Sequence, residues 1–193
     1  MKTVTGTHGM VTAPHHLAAR AGCDVLKDGG TAVEACVAVA ATLAVVYPHM
    51  TGIGGDFWVI REPEGRVHSV HGCGGAAARA DLALYEGLDA VPNRGPLAAN
   101  TVAGTISGWE AVLEDESCTI PLDRLLRDAI RHAEEGVAVT SGGAAIAEAK
   151  GPELRPQPGA YAAIFQPEGR PLAEGDVLRQ PQLAATLRML AAN

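Results

Sequence analysis

The first segment suited to chemistry is a glycine-rich stretch, Gly52-Ile53-Gly54-Gly55-Asp56. Glycines permit positive φ angles, so they can gather several backbone N–H groups at one point. Such a nest binds an anion or an oxyanion. The alternative is a tight turn packed under a neighbouring strand. Asp56 would then either cap the loop amides or orient a catalytic group, and the residues leave both roles open.

The second segment is His68-Ser69-Val70-His71-Gly72-Cys73-Gly74-Gly75. Its bare backbone predicts a wall of a substrate pocket; simple close packing of the chain is the alternative. His68 and His71 are three residues apart and point to opposite faces of a strand, which argues against a two-histidine metal site. Cys73 close to His71 resembles a thiol nucleophile with its base, but that pair would need a bend at Gly72.

Other common catalytic signatures are absent from the sequence. There is no Gly-Lys-Ser/Thr phosphate loop, no Gly-x-Ser-x-Gly elbow and no Cys-x-x-Cys pair. No histidine or carboxylate lies at zinc-ligand spacing from a cysteine. The sequence therefore predicts neither a metal nor a cofactor, and it offers no evident nucleophile.

Composition excludes several classes of protein. The 193 residues carry 15 Lys and Arg against 22 Asp and Glu, a net charge of −7, which argues against a nucleic-acid binder. The longest apolar run, residues 35–47, is too short to span a membrane, and the first residues have no apolar signal segment. Four cysteines without paired spacing predict reduced thiols and a cytoplasmic protein.

Hydrophobic periodicity and turn-forming residues predict the helices and strands that must position these two segments. Thr31 with Glu34 has the spacing of a capping box and begins a helix that is apolar nearly all round, so this helix should be central and buried. The other predicted elements before residue 120 are a strand over 1–11, helices over 17–27, 81–87 and 106–113, and strands over 57–60 and 67–70 joined by a turn at 62–65.

The C-terminal third is predicted to be mainly helical. An amphipathic helix covers 121–135, a further helix covers 141–150, and a last helix covers 182–192. Residues 151–175 are rich in Pro and Gly and predict a long exposed excursion. The last helix reaches Asn193 without a stop signal, so we expect the chain to be one piece of a larger assembly.

Several ordered motifs resemble those of the large subunit of γ-glutamyltranspeptidases. The resemblance covers nearly the whole chain, which makes it far more specific than one glycine turn. The matching segments are Gly9-Met10-Val11-Thr12-Ala13-Pro14-His15-His16, Gly29-Gly30-Thr31-Ala32-Val33-Glu34-Ala35, Pro48-His49-Met50-Thr51-Gly52-Ile53-Gly54-Gly55 and Val102-Ala103-Gly104-Thr105-Ile106-Ser107-Gly108-Trp109.

The resemblance implies an N-terminal nucleophile hydrolase with stacked α-β-β-α layers. This α/β (α+β) fold would receive mostly helices and a few strands from residues 1–193, the N-terminal portion of a large subunit. In that family a proenzyme cuts itself, and the new N-terminal threonine of the small subunit is nucleophile and base. The implied partners are the remaining large-subunit segment and the small subunit, in a heterodimer or a dimer of heterodimers. No catalytic residue carries over to this chain.

One departure from the family pattern concerns the substrate. The γ-glutamyl enzymes hold the substrate α-carboxylate with an arginine at the place of Cys73, and Arg79 lies too far along to replace it. Loss of the paired N–H donors of this guanidinium weakens the binding free energy by about 2 to 3 kcal/mol. The residues Gly-Gly-Asp-Phe-Trp also replace a longer glycine run. Both features resemble the amidohydrolase and acylase branch, which cleaves small amides such as oxamate or larger acyl side chains. A γ-glutamyltransferase or glutathione hydrolase, and a non-catalytic assembly fragment, remain alternatives.

Overall fold

A computed structural model describes residues 3–115 and 117–192 of the chain. The α-helices of these residues are α1 (His16–Lys27), α2 (Ala32–Val46), α3 (Thr105–Leu113), α4 (Leu122–Glu135), α5 (Ser141–Leu154), α6 (Tyr161–Phe165) and α7 (Pro181–Ala191). The strands are β1 (Phe57–Arg61), β2 (His68–Gly72), β3 (Val137–Ala138) and β4 (Val177–Leu178). Helices predominate over a few short strands, and the α+β class is as predicted. None of the described helices is both long and apolar enough to cross a membrane.

Helix α2 is the centre of the core. Ten of its 15 residues are buried, which confirms the expectation of a central helix. It packs against α1 on one side and α4 on the other, and α4 also packs against α7. The fully buried side chains of Leu125, Leu126 and Leu187 fill the α4–α7 part of this core.

The Glu34 carboxylate joins the start of α2 to the segment before α4. The predicted capping box is present: Thr31 Oγ1 accepts from the Glu34 N–H, and Glu34 Oε2 accepts from the Thr31 N–H at 2.6 Å. Glu34 Oε1 also accepts from the backbone N–H groups of Thr119 at 2.7 Å and Ile120 at 2.5 Å. The side chain is 0% exposed, so these donors replace the water that it loses on folding.

Strands β1 and β2 form an antiparallel hairpin whose two faces differ. Phe57 lies opposite Gly72, and Trp58 lies opposite His71. The face that carries Phe57 packs against α3. On the opposite face Trp58 is 64% and Ile60 74% exposed, so half of this small sheet lacks a cover within the described chain.

The predicted strand over residues 1–11 is wrong for the part that the structure describes; Met1 and Lys2 lie outside the described residues. A strand needs a hydrogen-bonded neighbour, and β1 and β2 pair only with each other. The segment instead runs along α1, with Gly9 next to Leu26 and Val11 next to Gly22.

The bounds of two predicted helices differ from those in the structure. The segment predicted to be a long exposed loop contains a helix. Helix α5 continues beyond 150 to Leu154, through Pro152. Proline forfeits one backbone hydrogen bond, and the helix continues beyond it with the Arg155 N–H donating to the Gly151 carbonyl at 2.9 Å. Helix α6 lies inside the predicted excursion 151–175, and the predicted helix 81–87 is a 3₁₀ turn at Leu82–Tyr85.

The buried carboxylate generates a prediction about stability. Burial alone raises the pKa of Glu34, but the N–H groups of Thr31, Ile120 and Thr119 outweigh it and hold the pKa below its usual range. The stabilisation by this ionised group is therefore complete above the ordinary carboxyl pKa and disappears as the pH falls through the lowered folded-state pKa. We expect Glu34→Ala to lower the free energy of unfolding by about 3 kcal/mol at pH 7, because buried donors lose a charged acceptor.

Urea titrations at pH 7 and pH 4 measure the free energy of unfolding of the parent protein and of Glu34→Ala. The exposed Glu148 is the matched control, and Glu148→Ala should change the free energy of unfolding by less than about 0.5 kcal/mol. Equal destabilisation by the two variants at pH 7 would contradict the role of Glu34.

Candidate functional site

The hairpin brings the two glycine-rich segments to one place. Because Phe57 is paired with Gly72, the residues just before β1 and just after β2 lie at the same end of the sheet. Asp56 and Cys73 therefore become neighbours although 17 positions separate them (73 − 56). The segments 52–56 and 72–75 form one exposed wall, which we call the glycine wall.

The N-terminus of α3 anchors this wall to the helical core. The Gly55 carbonyl accepts the N–H groups of Gly104 and Thr105, each at 2.9 Å, and the Thr105 hydroxyl at 2.8 Å. Thr105 is only 4% exposed, so this three-donor contact is shielded from water. The carbonyl oxygen of Gly55 is thus used by the fold.

Two glycines of the second segment are needed for close backbone packing. A Cβ on Gly72 would stand 2.7 Å from the Gly104 carbonyl oxygen. A Cβ on Gly74 would stand 1.7 Å from the Val102 carbonyl oxygen. No side chain fits at either position, so the close-packing alternative accounts for Gly72 and Gly74.

The remaining glycines of the wall are not required for close backbone packing. A Cβ on Gly52, Gly54, Gly55 or Gly75 would meet no atom within 4 Å among the described residues. The expectation of positive φ at Gly52, Gly54 and Gly55 is wrong, since the left-handed glycines lie elsewhere. The loop is nevertheless packed in part, because the Gly55 carbonyl and the Ile53 side chain contact the core while the glycine Cα positions face open space.

Backbone donors are free along this wall. Within the described residues, the N–H groups of Gly52, Gly54, Gly74 and Gly75 donate to no acceptor. Free N–H groups on bare backbone can hold a carbonyl oxygen or an anion without obstruction by side chains. The wall therefore offers oxyanion-type donors even though it is not a left-handed nest.

Asp56 faces Cys73 across the wall. Desolvation raises the pKa of the Cys73 thiol, and the hydrogen bond and negative charge of Asp56 raise it further. The thiol is therefore neutral near pH 7 and is a poor nucleophile. Among the described residues the Asp56 carboxylate accepts from no loop amide, and the Cys73 thiol donates to the Gly74 carbonyl oxygen at 3.8 Å.

The histidines form no hydrogen bond with Asp56 or Cys73 among the described residues. His71 is exposed on the outer face of the hairpin, where its ring packs on Trp58 with 3.5 Å between centroids. Because β2 stays extended through Gly72, His71 and Cys73 lie on the same face of the hairpin without a bend, and no hydrogen bond joins their side chains among the described residues. His15 caps α1, with its ring accepting from the Leu17 N–H. Groups of three or more metal-ligating side chains do not occur in the described part of the chain.

The supporting role of α3 was not predicted from the sequence motifs. Gly104 lies against Gly72, and a Cβ on Gly108 would stand 2.7 Å from Phe57 Cδ1. Two glycines four residues apart lie on one face of a helix, so this spacing is the signal that predicts close contact with a neighbouring strand. Thr105 carries no comparable signal, because its hydrogen bond to Gly55 joins residues 50 positions apart.

Comparisons with known proteins agree on one family. The sequence profile described as Gamma-glutamyltranspeptidase matches residues 18–193. The chain is 49% identical over 192 residues to an oxamate amidohydrolase proenzyme of Klebsiella pneumoniae, covering 97% of this chain and 36% of that protein. It is 38% identical over 192 residues to a glutathione hydrolase-like proenzyme of Bacillus subtilis, covering 98% of this chain and 36% of that protein. The chain thus spans about a third of the length of the curated relatives that it matches.

A solved structure shows the same arrangement of elements. The γ-glutamyltranspeptidase of Helicobacter pylori superposes with a TM-score of 0.90 at 27% identity, covering 99% of this chain and 56% of that chain. The similarity therefore extends over helices, hairpin and glycine wall together.

The different roles of the wall glycines generate a prediction. We expect Gly74→Ala to lower the free energy of unfolding by about 1 to 3 kcal/mol, since its methyl group would overlap the Val102 carbonyl. Gly75→Ala should change it by less than about 0.5 kcal/mol, because the added methyl group meets open space. Thermal unfolding of both variants beside the parent protein measures the difference. A destabilised Gly75→Ala variant would show that the wall is packed.

Proposed function

The chain belongs to the γ-glutamyltranspeptidase family of enzymes, and we propose that it forms the N-terminal portion, residues 1–193, of the large subunit of an autoprocessed amide hydrolase. The substrate is a small amide of the oxamate type or an acyl amide. An N-terminal threonine on a separate small subunit attacks the amide carbonyl, the amine leaves, and water hydrolyses the acyl-enzyme. The glycine wall contributes backbone donors to the substrate site. No metal or cofactor takes part.

One observation carries this proposal. Gly52, Gly54 and Gly75 are bare although the fold leaves room for a side chain at each, and their N–H groups are free. A fragment kept only for assembly has no need of unobstructed donors at a converging pair of loops. Donors fixed in place before the reaction stabilise a developing oxyanion, which supports the assignment of a substrate site over a packing surface.

The charge at the wall supports an amide without a glutamyl headgroup. A glutamyl α-carboxylate placed at Cys73 would meet a neutral thiol and the Asp56 carboxylate where a cation is needed. Repulsion between the two carboxylates disfavours that substrate. The carboxylate of an oxamate-type substrate is instead held by the free backbone N–H groups of the glycine wall, away from Asp56. The similarity to an oxamate amidohydrolase, greater than that to a glutathione hydrolase-like protein, points in the same direction.

The surface of the chain supports completion by further segments. Trp58 and Ile60 expose the outer face of the hairpin, and Met50 is 67% exposed beside the glycine wall. The matched relatives are named as proenzymes. We propose that the remaining large-subunit segment and the small subunit cover these apolar surfaces, in a heterodimer or a dimer of heterodimers. All four cysteines are free, which supports a cytoplasmic location.

A glutathione hydrolase or γ-glutamyltransferase is the second candidate. The name of the Bacillus subtilis relative favours it. It requires a cation from another segment to hold the glutamyl α-carboxylate, because the turn 72–75 provides none.

Substrate preference tests the proposal directly. The complete processed protein should cleave oxamate with a higher kcat/KM than a γ-glutamyl anilide, since the wall lacks a cation for the glutamyl headgroup. Parallel assays of ammonia release and anilide release measure the two values. A tenfold or greater preference for the glutamyl compound would establish the second candidate.

Cys73→Arg makes this test more specific, because it places a guanidinium with paired N–H donors beside Asp56. We expect the kcat/KM for the γ-glutamyl anilide to rise about tenfold, which corresponds to about 1.4 kcal/mol. The exposed position of Cys73 leaves space for the longer side chain.

A matched glycine pair tests the placement of the wall. Gly75→Ala should lower kcat/KM for the best substrate at least tenfold, because a methyl group would obstruct a donor at the site. Gly142→Ala is the control, since Gly142 also faces open space but lies in α5. Equal activity of the two variants would remove residues 72–75 from the substrate site.

A further inference from the structure

A cavity of about 280 Å³ lies between the C-terminal end of α2, strand β3 and helices α5 and α6. Its volume is close to the lower end of the range for ligand pockets. The walls are largely apolar, with side chains contributed by Val46, Ile146, Leu154, Phe165, Leu172 and Leu178. Neither the proposed function nor the glycine wall makes use of these residues.

The cavity wall contains two cations, a histidine and two side chains with a hydroxyl group. Arg94 and Lys150 line it, and none of the described residues that line it is acidic. Glu153, which lies outside the lining, pairs with Arg94 at 2.9 Å and with Lys150 at 3.3 Å. One carboxylate shared by two cations leaves a positive charge at the cavity. Burial lowers the pKa of His49, also in the wall, so this ring adds no charge near pH 7.

Unpaired polar atoms lie on one side of the cavity. Tyr161 lines the cavity, and its hydroxyl is buried with no hydrogen-bond partner among the described residues. The amide nitrogen of Gln166, a residue only 6% exposed, is unpaired in the same way. Both atoms lie within 4 Å of the position of a Cβ on Gly151, so they are close to one another. A buried donor without an acceptor is unfavourable, and a ligand oxygen would satisfy it.

We propose that this cavity binds a small carboxylate with an apolar tail, of about ten non-hydrogen atoms. The tail lies among the aliphatic and aromatic side chains of α5 and α6. The carboxylate lies near Lys150 and Arg94, and a rotation of the Tyr161 side chain brings its buried hydroxyl within donating distance of it. This site is independent of the proposed function, because it includes no residue of the glycine wall.

Calorimetric titration of the full-length protein with octanoate, and with octanamide as the neutral analogue, tests the site. We expect saturable 1:1 binding of octanoate. Tyr161→Phe and Lys150→Met should each weaken octanoate binding about fivefold or more while octanamide changes less than twofold. Tyr161→Phe should leave the melting temperature unchanged or raised, because it removes an unpaired hydroxyl.

Matched variants locate the binding. Ala147 lines the cavity and Ala145 does not, so Ala147→Phe should abolish octanoate binding and Ala145→Phe should preserve it. Arg66→Met is the control for loss of an exposed cation far along the chain. Binding that survives Ala147→Phe, or that responds equally to Arg66→Met and Lys150→Met, overturns the proposal. Absence of saturable binding also overturns it, including the case in which another segment of the protein fills the cavity.

Discussion

The contact between the end of the hairpin and the start of α3 is the constraint on which the candidate site depends. Gly72 and Gly104 meet backbone to backbone, with no space for a side chain on either. Three donors from Gly104 and Thr105 converge on the Gly55 carbonyl beside this contact. Because α3 packs against β1 and β2, the contact transmits the rigidity of the helical core to two loops that are otherwise exposed. Rigid support of this kind is what fixed backbone donors require.

The glycine wall divides its glycines between two physical roles. Gly72 and Gly74 are needed for close approach of backbones, whereas Gly52, Gly54 and Gly75 leave space that the described chain does not fill. The first role builds the wall and the second keeps its donors accessible. Asp56 lies beside Cys73 at the end of the same hairpin, so this part of the wall carries a negative charge while its glycines offer backbone N–H donors.

The two hydrophobic regions of the chain differ in how fully they are covered. The α1–α2–α4–α7 core is closed, with the Glu34 carboxylate joining two of its segments. The outer face of the hairpin is open, as Trp58 and Ile60 show. The apolar side chains of this open face are available for contact with another part of a longer protein. The chain spans about a third of the length of the curated relatives that it matches.

The sequence by itself determined the features that local signals encode. Capping at Thr31 and Glu34, the apolar surround of α2, the amphipathic pattern of α4 and the turn between β1 and β2 all depend on residues within a few positions of one another. The ordered motifs also identified the family. The tertiary structure alone decided which glycines pack and which stay open, that residues 3–11 run along α1 without forming a strand, and that Asp56 faces Cys73. Each of these depends on contacts between residues far apart in the chain, and no local pattern of side chains specifies what another segment will bring within 4 Å.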